Sequence, residues 1–158
     1  MPQAKSALVC IGEVMAEIRA QPGGFHVSFA GDTYNTAVYC HCSLQGLGSA
    51  DYVTRIGEDP LSESFITAAL AEGLERGLIR RDPERQIGIY TVSTDAQGER
   101  SFHYWRDTSA ARRMFDATIA DANPQRMLAD IAATAAPGAI VYLSGKPSPF
   151  CQPQRAVP

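Results

Sequence analysis

Phe29-Ala30-Gly31-Asp32-Thr33-Tyr34-Asn35-Thr36-Ala37 is the stretch on which the fold turns. Just before it, Phe25, Val27 and Phe29 alternate with His26 and Ser28, the period-two pattern of a half-buried strand. Ala30-Gly31-Asp32 breaks the alternation. From Thr33 to about Gln45 the pattern is helical, with Asp32 or Thr33 as the N-cap and Gly46 and Gly48 as the stop. A strand, a tight glycine turn and a helix in direct succession are the opening unit of an α/β domain.

Upstream, residues 7–11 (ALVCI) form a continuous apolar run closed by Gly12, as in a strand buried on both faces. Residues 14–19 read as a second strand with Met15 or Glu17 facing out, and Gln21-Pro22-Gly23-Gly24 as a turn. Downstream, residues 51–56 read as a strand and Gly57-Glu58-Asp59-Pro60 as a loop, with Pro60 opening a helix that ends near Gly73 or Gly77. Residues 87–94 and 100–106 are strand-like and joined by Asp95-Ala96-Gln97-Gly98, a hairpin signal. A short helix over 110–115, a helix over 124–135 ended by Pro137-Gly138, and a second buried strand over 139–143 (AIVYL) complete the order. Strands alternating with helices imply an α/β fold with a mainly parallel, partial sheet and flanking helices. Residues 14–29 and 87–106 supply an additional small β-sheet. Residues 146–158, rich in proline and without periodicity, read as a disordered or non-native tail on a domain spanning 1–145.

The 158 residues are 45% hydrophobic and 20% charged, with a net charge of −3, the balance of a folded domain rather than a disordered chain. That charge argues against a nucleic-acid partner, which needs a basic face. No apolar run approaches the roughly 20 residues of a membrane span, and Glu13 and Glu17 interrupt any signal-like segment, so no membrane partner and a cytoplasmic location are expected. Cys10, Cys40, Cys42 and Cys151 are then expected as free thiols. Cys40 and Cys42 point to nearly opposite sides of a helix, which argues against a metal site at Cys40-His41-Cys42. Arg76, Arg80, Arg81 and Arg85, offset by Glu75, Asp82 and Glu84, read as a solvated face. Arg112-Arg113, after the hairpin, is placed to orient it, and His26 reads as an exposed edge residue.

Two constellations carry chemistry. In the first, Gly31 permits close approach to the backbone, and Asp32 and Asn35, one helical turn apart, offer an acceptor and an amide suited to sugar hydroxyls. An ordinary helix cap with an exposed asparagine fits the same spacing. In the second, Phe102, Tyr104 and Arg106 share one strand face and His103 and Trp105 the other. An arginine beside a phenol is a carboxylate clamp, or else aromatic packing with a solvated edge charge.

The segments Ile11-Gly12-Glu13, residues 29–36, Arg55-Ile56-Gly57-Glu58-Asp59, residues 98–106 and Tyr142-Leu143-Ser144-Gly145 together resemble the 2-keto-3-deoxygluconate kinases of the ribokinase-like (PfkB) carbohydrate kinases, from about residue 7 to 145. The resemblance implies an α/β core and a β-sheet lid with an acidic sugar between them, bound by Gly31, Asp32, Asn35, Tyr90, Tyr104 and Arg106, with Arg106 near the sugar carboxylate. It also implies ATP and Mg2+ as the whole family's cofactors and a homodimer formed through the lid. This chain departs from the family at Ala30, where a second glycine is usual, and at His103, where tyrosine is common. It also lacks the Gly-Ala-Gly-Asp motif whose amides and carboxylate serve phosphoryl transfer in the family, and has no Walker-type loop. The chain is therefore expected to hold the sugar and not ATP, to have no catalytic base and to be inactive alone. A kinase for a neutral sugar such as fructose, or a non-catalytic sugar-binding or dimerising module, are the competing expectations.

Overall fold

The computed structural model describes residues 6–44, 48–74 and 76–144. The expected tail, Gly46 and Cys151 lie outside the described residues. The strands are β1 (Ser6–Ile11), β2 (Met15–Gln21), β3 (Gly24–Ala30), β4 (Ser49–Ile56), β5 (Ile79–Arg81), β6 (Gly88–Thr94), β7 (Arg100–Trp105) and β8 (Ala135–Leu143). The helices are α1 (Asp32–Leu44), α2 (Pro60–Ala71) and α3 (Pro124–Thr134), with short 3-10 turns at Arg76–Leu78 and Ala110–Arg113. One sheet runs β5-β4-β1-β8, every pair parallel. The second runs β3-β2-β6-β7, two antiparallel hairpins joined by the parallel pair β2 and β6.

The first sheet is sandwiched, which is why β1 reads as an unbroken apolar run. On one face Cys10, Tyr52 and Ile56 meet Tyr34 and Ala37 of α1 and Phe65, Ile66 and Ala69 of α2. The rings of Phe29, Tyr34, Tyr52 and Phe65 pack there with centroids 5.3 to 6.4 Å apart. Aromatic rings bury large apolar areas, so this cluster contributes strongly to the core. On the other face Val9, Ile11 and Val53 meet Met127 and Ile131 of α3 and Met114. Burial, with Cys40 and Asp32 nearby, pushes the Cys10 thiol up to about 11, so it stays protonated. No described helix is long and apolar enough to cross a membrane.

Local signals account for the helix ends. Asp59 caps α2 by accepting the Leu61 and Ser62 amides, each at 3.1 Å, with Pro60 at the first helical position. Gly73, at φ 81°, ends it, and the Leu74 amide reaches back to the Ala69 carbonyl at 2.9 Å. The hairpin turn is closed by Gly98 at φ 87° and by the Asp95 carboxylate, which accepts the Gln97 and Glu99 amides.

Four local expectations are corrected. Asp32 is already helical, so neither it nor Thr33 is the cap. Gly31 takes that place, its carbonyl accepting the Asn35 amide at 2.8 Å. Pro137-Gly138 does not separate α3 from the last strand but lies inside β8. Ser6 aligns with Ala135 and Leu8 with Ile140, so the residues between bulge out of the ladder, where proline lacks a donor and Gly138 adopts φ 82°. Ile79–Arg81 forms β5, which no sequence pattern announced. Finally, Arg80 and Arg81 are not a solvated face. Arg80 bonds the Asp130 carboxylate at 2.6 Å and the Gly77 carbonyl at 2.9 Å; Arg81 bonds the Gly57 carbonyl at 2.7 Å and pairs with Glu63.

Candidate functional site

The carboxyl ends of β1, β4 and β8 point the same way, and loops at that edge of a parallel sheet are where such folds place ligands. There the chain leaves β1 through Gly12, Glu13 and Val14 to enter β2, and returns from β3 into α1 at Gly31. The two passages cross so closely that a Cβ at Gly31 would collide with the Glu13 carbonyl oxygen and lie 3.4 Å from the Val14 Cα. The bare side of Gly31 is thus filled by the chain itself, a steric need for glycine that the sequence reading had assigned to a ligand. Asp32 opens α1 and its carboxylate accepts hydrogen bonds from the Tyr142 hydroxyl at 3.1 Å and from the Ser144 hydroxyl, both at the end of β8. Asn35, one turn on, is exposed at the same helix start.

The small sheet carries an aromatic platform. Tyr90 lies directly opposite Tyr104, with ring centroids 5.6 Å apart and planes 29° from parallel. Phe102 continues the stack at 6.4 Å from Tyr104. The alternation that places Phe102 and Tyr104 on one face is therefore present, and Tyr90 joins them from β6. Across β2 the same face carries Glu17, which receives the Tyr90 hydroxyl, pairs with Arg19 at 2.8 Å and accepts from Ser28. Burial, then the Glu17 carboxylate, pushes the Tyr90 phenol well above its ordinary range, so it remains a neutral donor. Tyr104 differs: it is 53% exposed, its phenol open to a ligand.

Arg106 follows β7 where the small sheet joins the core. Its guanidinium pairs with Glu13, and the other Glu13 oxygen accepts the Ser109 hydroxyl at 2.7 Å. A cleft of about 670 Å³ is lined by residues 84–87, 89 and 104–109, and so contains Tyr104 and Arg106. Gly31, Asp32, Asn35 and Tyr90 do not line it. Glu13 connects the two groups instead: its carbonyl abuts Gly31 and its carboxylate holds Arg106. From sequence, Glu13 stands out only within the Ile11-Gly12-Glu13 segment and as a charge that interrupts an apolar run. The signal that marks it is a carboxylate directly after the glycine that ends a buried parallel strand.

The junction beneath the cleft is braced by charge. Asp82, fully buried, takes Arg55 at 3.2 Å, the Glu84 and Arg85 amides and Arg113 at 3.4 Å. Burial alone would raise its pKa, but the Glu84 amide and the two guanidinium groups outweigh it and hold the carboxyl below the ordinary value. Asp59 is likewise held low: burial opposes, but the Ser62 hydroxyl and amide and the Ile87 amide prevail. Arg113, expected to orient the lid, also binds Glu84 at 2.6 Å and so ties the segment after β7 to the one before β6.

Among the described residues, the helix starts do not fit the phosphates of a nucleotide triphosphate. A phosphate cradle needs free amides at a helix start. The α2 amides are taken by Asp59 and the α3 amides by Asn123, while the α1 start carries the Asp32 carboxylate and faces the Glu13 carbonyl. Among the described residues no three His, Cys, Asp or Glu side chains group to hold a metal ion.

Comparison with known proteins agrees with this architecture. The family model described as pfkB family carbohydrate kinase matches residues 5–154. The 2-dehydro-3-deoxygluconokinase of Dickeya dadantii is 36% identical over 121 residues, covering 76% of this chain and 39% of that protein. The enzyme of that name from Haemophilus influenzae is 39% identical over 106 residues, covering 66% of this chain and 34% of its own length. Among solved structures, the 2-dehydro-3-deoxygluconokinase of Thermotoga maritima superposes with a TM-score of 0.60 at 26% identity, covering 74% of this chain and 39% of that one. Fructokinase from Xylella fastidiosa reaches a TM-score of 0.63 at 24% identity, covering 96% and 54%, a likeness of fold. The chain thus spans well under half the length of the curated relatives it matches, and its small second sheet and parallel core are ribokinase-like. The chain belongs to the pfkB family of carbohydrate kinases.

Proposed function

We propose that this chain is the sugar-binding part of a kinase for 2-keto-3-deoxygluconate (2-dehydro-3-deoxygluconate). The observation that carries the reading is Arg106 at the root of the lid, beside the open phenol of Tyr104 and the Tyr90 ring that backs it. A guanidinium whose side chain is 37% exposed is available to a sugar carboxylate, which it binds with two parallel hydrogen bonds. Tyr104 donates to a ring or chain hydroxyl, and Asp32 and Asn35 take hydroxyls from the α1 side. Gly31 keeps that helix start close to the β1 exit. The relatives' printed name, at 35 to 39% identity, supports the acid sugar over a neutral one.

In the full reaction the sugar part supplies orientation, and transfer itself needs a phosphate cradle and a base for the attacking hydroxyl. The described residues offer neither, so these 158 residues alone bind the sugar without turning it over. The chain is placed by this reading in the cytoplasm. Phe25, Val27 and Trp105, exposed on the lid face opposite the tyrosines, support a second copy docking there.

Calorimetry tests the reading. Wild type is expected to bind 2-keto-3-deoxygluconate, and Arg106→Ala to weaken it by about 1.5–3 kcal/mol, the scale of a hydrogen bond to a charged group. Fructose binding should change little. Equal loss for both sugars would favour a neutral-sugar kinase. Sustained ATP consumption by the purified chain would overturn the proposed division of labour.

A further inference from the structure

We infer that Glu13 is a positioning residue for Arg106, fixing the guanidinium so that its remaining donors face an anionic sugar; the inference rests on the acid-sugar reading above. Glu13 is itself held. Its side chain is 11% exposed, one carboxylate oxygen accepts the Ser109 hydroxyl at 2.7 Å, and the other takes the Arg106 Nη2. The absence of a side chain at position 88 leaves room for the pair: a Cβ on Gly88 would stand 2.8 Å from Glu13 Oε1 and 3.3 Å from the Arg106 Cβ. The carboxylate is thus a fixed post between three chain segments, and Arg106 leans on it through one end of its planar fork. The Arg106 Nε is buried and finds no hydrogen-bond partner among the described residues. With Nε shut inside and Nη2 on Glu13, the exposed part of the side chain is the outer end of the guanidinium, and its remaining Nη donors are free for an acceptor that arrives from outside the chain. A sugar carboxylate has the geometry to take them.

The alternative role for Glu13 is a counter-ion that competes with the sugar. The two roles predict opposite signs. Glu13→Gln removes a negative charge beside the guanidinium, so loss of a competitor would tighten binding of 2-keto-3-deoxygluconate. Loss of positioning weakens it, by about tenfold, the scale on which a supporting hydrogen bond behind a binding group acts. Ser109→Ala, which changes no charge, should weaken binding in the same direction by a smaller factor. The Arg106 Nε–H proton, followed by NMR exchange with water, gives a readout that needs no sugar. It is expected to exchange slowly in wild type and faster in both variants. Unchanged or tighter sugar binding in Glu13→Gln overturns the inference, as does an Nε–H that exchanges equally fast in all three proteins. If wild type binds no sugar, the functional reading fails, and the exchange measurement still decides whether Glu13 holds Arg106.

Discussion

β1 and β8 are neighbours with nearly the same chemistry and opposite surroundings. Both are short apolar runs, ALVCI and AIVYL, lying parallel in one sheet. Val9 and Cys10 are completely buried, whereas Ile140, Val141 and Leu143 are 66%, 53% and 65% exposed. β1 has strands on both sides and helices on both faces. β8 pairs with β1 alone among the described residues, and α1 and α3 cover β1 and β4 rather than the outer flank. The pattern of a buried strand therefore reports the environment for which the segment is suited, and the described residues supply that environment to one of the two strands only. An apolar strand on an open edge is also a template for pairing with another chain.

Four substitution experiments set the parts of this sheet against each other. The largest effect is expected from Val9→Asp, which places an unpaired charge between two packed faces and should abolish cooperative unfolding in urea. Val141→Asp, on the exposed strand, should stay within about 0.5 kcal/mol of wild type. Similar costs for the two would mean that β8 is covered. Next comes the opposite edge, where β5 is closed by the buried Arg55–Asp82 pair. Asp82→Ala should cost about 1–3 kcal/mol, because the Arg55 Nε and the Glu84 and Arg85 amides lose their acceptor while Asp121 still holds the Arg55 guanidinium at 2.9 Å. The same carboxylate sets an acid limit. Asp82 and Asp59 are held below their ordinary value of 3.8 in the folded chain. Their contribution is thus present above that value and lost as pH falls through the lowered ones. Melting temperature against pH should drop steeply there in wild type and less steeply in Asp82→Asn. The smallest effect on stability is expected from Ile140→Lys with Leu143→Lys. Sedimentation should show concentration-dependent association reduced, at an unchanged melting temperature; persistence of the association would place it at the lid.

Much of this was legible in the sequence. The α/β order, the start of α2 at Pro60, the hairpin and the shared face of Phe102 and Tyr104 all rest on local rules, since period, helix-start and turn chemistry act within a few residues. Apart from the α1 cap, a local reading off by one residue, the misses were non-local. β5 is three residues long and mostly basic, and it is a strand because β4 lies beside it and because Arg80 and Arg81 find acceptors on distant segments. Gly31 was legible as a glycine requirement, but the object it accommodates, the Glu13 carbonyl, comes from another passage of the chain. The bond from Glu13 to Arg106 joins residues far apart in sequence, and no spacing rule announces it.

The parallel pairing of β2 with β6 has a consequence for how the protein assembles. Each hairpin of the small sheet is local and closes quickly, but Met15–Arg19 and Gly88–Val92 form the one seam between them. Closing that seam joins segments separated in the chain by α1, β4, α2 and β5, and such distant pairings carry the larger loop entropy. The tyrosine stack spans β6 and β7 and forms early, while Glu17, which holds Tyr90, arrives only when the seam shuts. Refolding should therefore show tyrosine stacking and core burial ahead of the Glu17–Tyr90 bond, making the seam a late kinetic checkpoint on the route to a competent platform.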